Sequence, residues 1–180
     1  TGQLTASSAN GITQTAGGSV SAGGLTQLSA DATHDITLGN AANSLSGQVN
    51  VSSVNHATLR TSGALLLGNI TTQGNLQGTS AGSITQAGGT ALSVGGTTQL
   101  TASGASADVT LGSGNTLTGE VSLTAGRNLS VTSAGALTLG ALSAGGQLTL
   151  SAGGPITQSA AWAVTGTSSL TATGSDITPI

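Results

Sequence analysis

The sequence predicts an all-β fold: a right-handed parallel β-helix with about three short strands per turn and no helices. Three observations carry this. Gly11-Ile12-Thr13-Gln14 returns as Ser83-Ile84-Thr85-Gln86 and again as Pro155-Ile156-Thr157-Gln158. The three isoleucines are evenly spaced, roughly 72 residues apart, and a fixed long period is the mark of a repeat architecture. Inside the period, apolar nodes recur at steps of about eight residues, at Leu76, Ile84, Leu92, Leu100, Val109, Leu117, Leu123, Val131, Leu139 and Leu148. Glycine pairs and small polar residues fill the intervals, as in Ala87-Gly88-Gly89 and Ala144-Gly145-Gly146.

Each kind of element follows from its residues. Around the nodes apolar residues alternate with Thr or Ser, as in Val109-Thr110-Leu111, Leu129-Ser130-Val131, Leu137-Thr138-Leu139 and Leu148-Thr149-Leu150. That period of two describes a half-buried strand, and Thr and Val suit a pleated surface. The glycine pairs provide corners, where the backbone must adopt conformations that other residues resist. No stretch carries an apolar face at helical spacing, and glycine recurs too often for a helix interior. Strands this short, with a corner after each, match the faces of a coil better than hairpins, which favour Asn-Gly or Asp-Gly turns between longer strands. The right hand follows from the handedness of β-crossover-β connections.

The chain reads as a single β-helical segment over 1–180, with superrepeats at about 2–73, 74–145 and a partial third copy at 146–180. The copies match with small slips. Asp35-Ile36-Thr37-Leu38-Gly39 answers Asp108-Val109-Thr110-Leu111-Gly112 one position beyond the period, and the even register then returns. A solenoid stacks short units on their neighbours; turns of about 24 residues would give three to the period, and turns of about 18 would give four. Either way the Ile-Thr-Gln motif is expected on the same face after a whole number of turns. Inward Leu, Ile and Val should stack along the axis, with Asn or Ser stacks in the turns, and the segment reads as an excerpt of a longer rod.

Composition narrows the function classes. Only 4% of the 180 residues are charged, the net charge is −3, and Arg60 and Arg127 are the only Lys or Arg residues. Nucleic acid is therefore a poor partner, since neutralising phosphates takes several cationic side chains. No apolar run approaches the length that spans a bilayer, about 20 residues. With no cysteine there is no disulfide framework or thiolate metal site.

Phrases such as Gly74-Asn75-Leu76 through Gln86, Ser122-Leu123-Thr124-Ala125-Gly126-Arg127-Asn128-Leu129-Ser130-Val131 and Gly146-Gln147-Leu148-Thr149-Leu150-Ser151-Ala152-Gly153-Gly154-Pro155-Ile156-Thr157-Gln158 resemble the repeat region of filamentous haemagglutinin-like exoproteins. These are the two-partner-secreted adhesins and contact-dependent inhibition proteins of Gram-negative bacteria. The resemblance covers nearly the whole chain. It implies secretion through an outer-membrane transporter, a cell-surface location, a rod-shaped β-helix, and a role in adhesion, virulence or display of a distal domain. No Asn-Pro dipeptide, the mark of that family's secretion domain, is present, so the segment resembles the shaft.

No catalytic, cofactor-binding or metal site is expected, and no enzyme activity. His34-Asp35 is the only His-Asp neighbour pair, but a triad also needs a placed nucleophile, and Ala107-Asp108 stands at the matching position. Asp35, Asp108 and Asp176 recur in phase and read as residues capping their own turns. Arg127 with Glu120, and Arg60 with His56, read as solvated turn residues. Trp162, which replaces Thr90 of the second copy, reads as a filler at an irregular turn in preference to a sugar-stacking platform. Asn50, Asn69 and Asn128 begin Asn-x-Ser/Thr sequons, where glycosylation is the minority expectation. Ice binding would need Thr-x-Thr repeated on one face, and triplets such as Thr171-Ala172-Thr173 do not recur at the period. The leading expectation is a shaft that extends an adhesive or toxic tip. The alternative is a direct binding module, one flat face of which engages a surface receptor, a glycan or another rod; end-to-end or lateral self-association belongs with it.

Overall fold

The computed structural model describes residues 2–174 and 176–178, and in it the chain is a β-solenoid of parallel strands. Thr1 and residues 179–180, the extremes of the expected segment, lie outside the described residues. The first two turns have three strands each: β1 (Leu4–Ser8), β2 (Ile12–Thr13) and β3 (Ser21–Ala22), then β4 (Thr26–Ala30), β5 (Ile36–Leu38) and β6 (Ser44–Leu45). The next two have a long strand and a shorter one: β7 (Gln48–Val54) with β8 (Ala57–Thr61), and β9 (Leu65–Thr72) with β10 (Leu76–Ser80). The fifth returns to three, β11 (Ile84–Gln86), β12 (Leu92–Val94) and β13 (Thr98–Ala102). There follow β14 (Val109–Leu117) with β15 (Glu120–Ala125), and β16 (Leu129–Ser133) with β17 (Leu137–Ala144). The last two turns hold β18 (Leu148–Ala152), β19 (Ile156–Gln158) and β20 (Trp162–Val164), then β21 (Ser168–Ala172) and β22 (Ile177–Thr178).

Two ten-stranded sheets form opposite faces of the coil. One runs β1-β4-β7-β9-β11-β14-β16-β18-β21 and the other β2-β5-β8-β10-β13-β15-β17-β19-β22, with β12 and β20 as side members. With strands about 4.8 Å apart, nine turns make a rod roughly 40 Å long. Alternation does the folding: in β18 the pattern runs buried, exposed, buried, partly exposed, buried over Leu148–Ala152, so every second side chain enters the core. The inward column Leu59, Gly78, Leu100, Leu123, Leu142 and Trp162 follows directly from the strand registers. Gly78 interrupts this leucine column, and Leu100 fills the space: a Cβ on Gly78 would lie 2.7 Å from Leu100 Cδ2.

The turn length corrects both sequence expectations. Asp35, His56, Asn75 and Thr97 mark equivalent places in four successive turns, and the steps between them are 21, 19 and 22 residues. The ordinary turn thus falls between the two expected lengths, and the period does not hold a whole number of turns. Two periods carry the chain from Leu4 in β1 to Leu148 in β18, which is seven steps along the first face. One period is therefore three and a half turns. The Ile-Thr-Gln motif accordingly changes face at each return: Ile12 lies in β2 on the second face, Ile84 in β11 on the first and Ile156 in β19 on the second. Leu4, Leu76 and Leu148 alternate in the opposite sense. The repeat is a half-turn screw, not a return to one face.

The half-turn is visible in a pair of bulges. Val49 and Val51 of β7 pair with Leu67 and Ile70 of β9, so β9 carries an extra residue there. On the other face Val121 and Leu123 of β15 pair with Leu139 and Leu142 of β17. The extra backbone begins at Gly68 in one case and at Gly140 in the other, one period apart. Side chains of the preceding turn close over each glycine: a Cβ would meet Gln48 and Asn50 at Gly68, and Glu120 and Ser122 at Gly140, and those side chains would have to move aside. Beyond each bulge the widened strand splits, and β9 is followed by β11 and β12, β17 by β19 and β20.

Candidate functional site

The polar residues of the chain are organised in two devices, both repeated on the half-turn. The first is an amide clamp. Gln86 donates from Nε2 to Asn115 Oδ1 and accepts from Asn115 Nδ2, both at 2.9 Å. Asn115 is fully buried; its Oδ1 also accepts the Leu92 N–H at 2.9 Å, and its Nδ2 donates to the carbonyls of Gly112 (2.7 Å) and Thr132 (3.1 Å). Gln14 and the fully buried Asn43 repeat the arrangement, at 2.6 and 3.0 Å, with Val20 N–H and the Leu38 carbonyl as further partners. The clamp explains the third residue of the Ile-Thr-Gln motif in the first two copies: isoleucine points inward, and glutamine closes the corner against an asparagine 29 residues on. Sequence reasoning missed this, although Asn43 and Asn115 stand one period apart and could have been paired with Gln14 and Gln86 on that ground.

The second device is a ladder of side-chain acceptors in the turns. Each accepts a backbone N–H from the turn above. Along the second face Asp35 takes the N–H of His56 (3.0 Å), His56 Nδ1 that of Asn75 (2.7 Å), and Asn75 that of Thr97 (2.9 Å). Along the first, Ser83 takes that of Asp108 (3.0 Å), Asp108 that of Asn128 (2.9 Å), and Asn128 that of Gln147 (2.9 Å). Asn50 and Asn69, which lie within β7 and β9 beside the bulge, do the same for Asn69 and Ala91. The expected Asn and Ser stacks in the turns are thus present, with Asp and His taking part.

The candidate residues fall out accordingly. Asp35 and Asp108 brace the following turn instead of capping their own; Asp31, bonded to Thr33 N–H at 2.9 Å, is the residue that forms an Asx turn. Asp176 is exposed, and its carbonyl accepts the Ile156 N–H. His34 is partly exposed, with Nδ1 3.1 Å from Thr33 Oγ1, while the Asp35 carboxylate is engaged by Asn55 and His56, so the two side chains do not form a catalytic pair. Arg127 pairs with Asp108, Nε at 2.9 Å and Nη2 at 2.5 Å, and not with Glu120, which accepts from Ser159. The Arg127 guanidinium holds the Asp108 carboxyl below the ordinary aspartate range, helped by the Asn128 N–H and opposed by partial burial. Arg60 is exposed and lies within β8, four residues beyond His56. Trp162 packs half-buried against the core end and donates Nε1–H to the Gly140 carbonyl at 3.1 Å, so it is no open stacking platform. The sequon asparagines Asn50, Asn69 and Asn128 are all ladder members.

Two shallow, open grooves flank the ladders. One is lined by Asp35, His56, Thr58, Asn75, Gln77 and Gln99 on the second face, where Gln77 Nε2 donates to Gln99 Oε1 at 3.2 Å. The other, on the first face, is lined by residues including Gln27, Asn50 and Asn69. Among the described residues no group of three or more His, Asp or Glu is placed to hold a metal ion, and no helix is long and apolar enough to cross a membrane.

A family model described as repeats of unknown function (DUF5649) matches residues 1–52, 54–124 and 126–178, the last two segments beginning one period apart. No curated protein and no solved structure matches the chain.

Proposed function

We infer the function of this chain, which belongs to the DUF5649 family of repeats of unknown function, from where its polar residues are used. It is a length of shaft in a secreted surface exoprotein of the filamentous haemagglutinin type, carried outward through an outer-membrane transporter and holding a distal binding or toxic domain away from the cell. It is not an enzyme. The observation that carries the reading is the ladder: the Asp35, His56, Asp108 and Asn128 side chains are each committed to the next turn along the axis. Side chains so engaged add length and stiffness and leave little for chemistry.

The test is adhesion or target-cell inhibition by bacteria displaying the whole exoprotein. Deleting residues 74–145 should preserve the activity while shortening the rod by about 17 Å, three and a half strand spacings. Loss of activity on replacing groove residues such as Gln77 and Gln99 by alanine, with length unchanged, would overturn it.

That second outcome belongs to the alternative reading, in which the rod itself binds a glycan or receptor. The groove of Asp35, His56, Asn75, Gln77 and Gln99 favours it, since planar amides, a carboxylate and an imidazole offer the hydrogen bonds that a sugar hydroxyl array takes. Saturable binding of glycans by this segment alone, lost in Gln77→Ala with Gln99→Ala, is the measurement that would support it.

A further inference from the structure

The chain has nine asparagines, and eight have side chains fixed by hydrogen bonds: Asn43 and Asn115 in the clamps, Asn40 against the Thr15 and Gly18 carbonyls, and Asn50, Asn55, Asn69, Asn75 and Asn128 along the ladders. Asn10 is the exception. It is exposed, its carboxamide has no partner among the described residues, and it alone is followed by glycine. Its own N–H is held by Ser8 Oγ at 3.1 Å. The Gly11 N–H lies outside the strands and makes no hydrogen bond among the described residues. Gly11 sits at φ 86°, a conformation that side chains resist, and a Cβ there would lie 2.7 Å from the Asp35 carbonyl oxygen. The glycine is therefore required by the corner, and with it the unhindered nitrogen next to a free carboxamide.

We propose that Asn10–Gly11 is a self-modifying site, at which the folded rod converts asparagine to aspartate and isoaspartate through a cyclic imide. Base in the solvent takes the Gly11 amide proton, and the nitrogen attacks Asn10 Cγ. The Cγ–Nδ2 bond breaks, and ammonia leaves with a proton from water as the imide closes. Water then opens the ring. Attack at Cγ gives aspartate; attack at the main-chain carbonyl carbon gives isoaspartate, with the peptide now running through Cγ. Ammonia is released, water is consumed, and nothing is oxidised or reduced.

The isoaspartyl product has a structural consequence. It inserts a methylene into the backbone just before β2, a strand of two residues that pairs only with β5. The bonds at risk are Ile12 N–H to the Asp35 carbonyl and Gln14 N–H to the Thr37 carbonyl, both 3.0 Å. The first turn on the second face loosens, while turns beyond it keep their own partners.

The experiment incubates the whole folded chain at mildly alkaline pH and maps it by mass spectrometry. Trypsin cuts after arginine, and only Arg60 and Arg127 are present, so Asn10 falls in the peptide 1–60 and fragmentation places the change within it. The expected result is the mass gain of amide-to-acid exchange at Asn10 before any other asparagine, with isoaspartate detected by enzymatic methylation. Backbone amide exchange at Ile12 and Gln14 should rise in the modified fraction. Asn10→Gln, at an exposed and unpartnered position, should remove the signal without altering circular dichroism. Silence at Asn10 under conditions that convert a short Ala-Asn-Gly-Ile peptide would overturn the proposal. So would equal or earlier conversion of Asn43 or another ladder asparagine in the folded chain.

Discussion

Replacing Asn115 by leucine tests whether the amide clamp is structural. Leucine has nearly the shape of asparagine, so the substitution deletes hydrogen bonds without opening a cavity. Five are lost: two with Gln86, one from Leu92 N–H, and those to the Gly112 and Thr132 carbonyls. They do not count equally. Gly112 is exposed and Gln86 only half-buried, so water can replace much of what these two lose. Leu92 is fully buried, and its N–H would be left with no partner. An orphaned buried donor costs about 1–3 kcal/mol, and each ordinary bond about 0.5–1.5 kcal/mol net. Burying the added methyl groups returns part of this, at about 0.8 kcal/mol per carbon. The net expectation is a loss of about 2–4 kcal/mol.

Urea unfolding followed by far-ultraviolet circular dichroism gives the global value, and hydrogen exchange at the Leu92 amide gives the local one. A double-mutant cycle with Gln86→Leu should show coupling, because the two amides bond reciprocally. Asn43→Leu should act alike in the first copy, with Val20 as the exposed amide. Stability within about 0.5 kcal/mol of the parent, the range of an ordinary surface change, together with a protected Leu92 amide, would refute the clamp.

Four further outcomes are expected. His56→Asn should be tolerated, since Asn128 serves at the equivalent place, whereas His56→Leu should cost about 0.5–1.5 kcal/mol for the Asn75 N–H, both read by urea midpoint. Because the folded Asp108 carboxyl is depressed by Arg127, its contribution is present above the ordinary aspartate value of about 3.9 and is lost as pH falls through the lower folded value; the midpoint difference between the parent and Arg127→Gln should therefore vanish in strong acid. Leu123→Asp, stacked between Leu100 and Leu142, should abolish the strand signal in circular dichroism through an unpaired buried charge. Deleting residues 74–145 should turn everything beyond by half a turn; spin labels on cysteines at Thr5 and Thr149, on one face in the parent, should then report opposite faces.

Much of the fold was legible in the sequence because burial on a parallel strand imposes a period of two, and Leu129-Ser130-Val131 or Leu148-Thr149-Leu150 have no other use for it. The turn length was not, because it is not constant. The step between equivalent places is 19 residues from His56 to Asn75. It rises to 25 from Ser83 to Asp108. Dividing the long period by a single turn length therefore misled. The ladder was half legible: the turns visibly hold Asn and Asp, but a strand register is needed to see that each acts on the following turn. His56 illustrates the limit: the period alone makes it the counterpart of Asn128, but only its hydrogen bond to the Asn75 N–H shows that an imidazole does the work of that amide.

The half-turn also changes what the long repeat does for the core. If units returned to one face, like residues from successive copies would share a column, and the repeat itself would supply the stacks. Here equivalent residues stand on opposite faces until two periods have passed, so each inward side chain stacks on residues that are not its copies. Gly78 shows the result: its equivalent one unit on, Leu150, stands on the other face between Val131 and Leu170, while Gly78 itself lies beneath Leu100, which occupies the space a side chain would take. A given position thus tolerates glycine or leucine according to the neighbour above and below. What must be kept alike on both faces is the polar bracing, Gln with Asn at the corner and an acceptor at each turn, together with the glycine at each bulge. The Gln–Asn clamp, the acceptor pairs Asp35 with Asp108 and His56 with Asn128, and the bulge glycines recur across the half-turn, and they set the register within which the apolar stacks are free to vary.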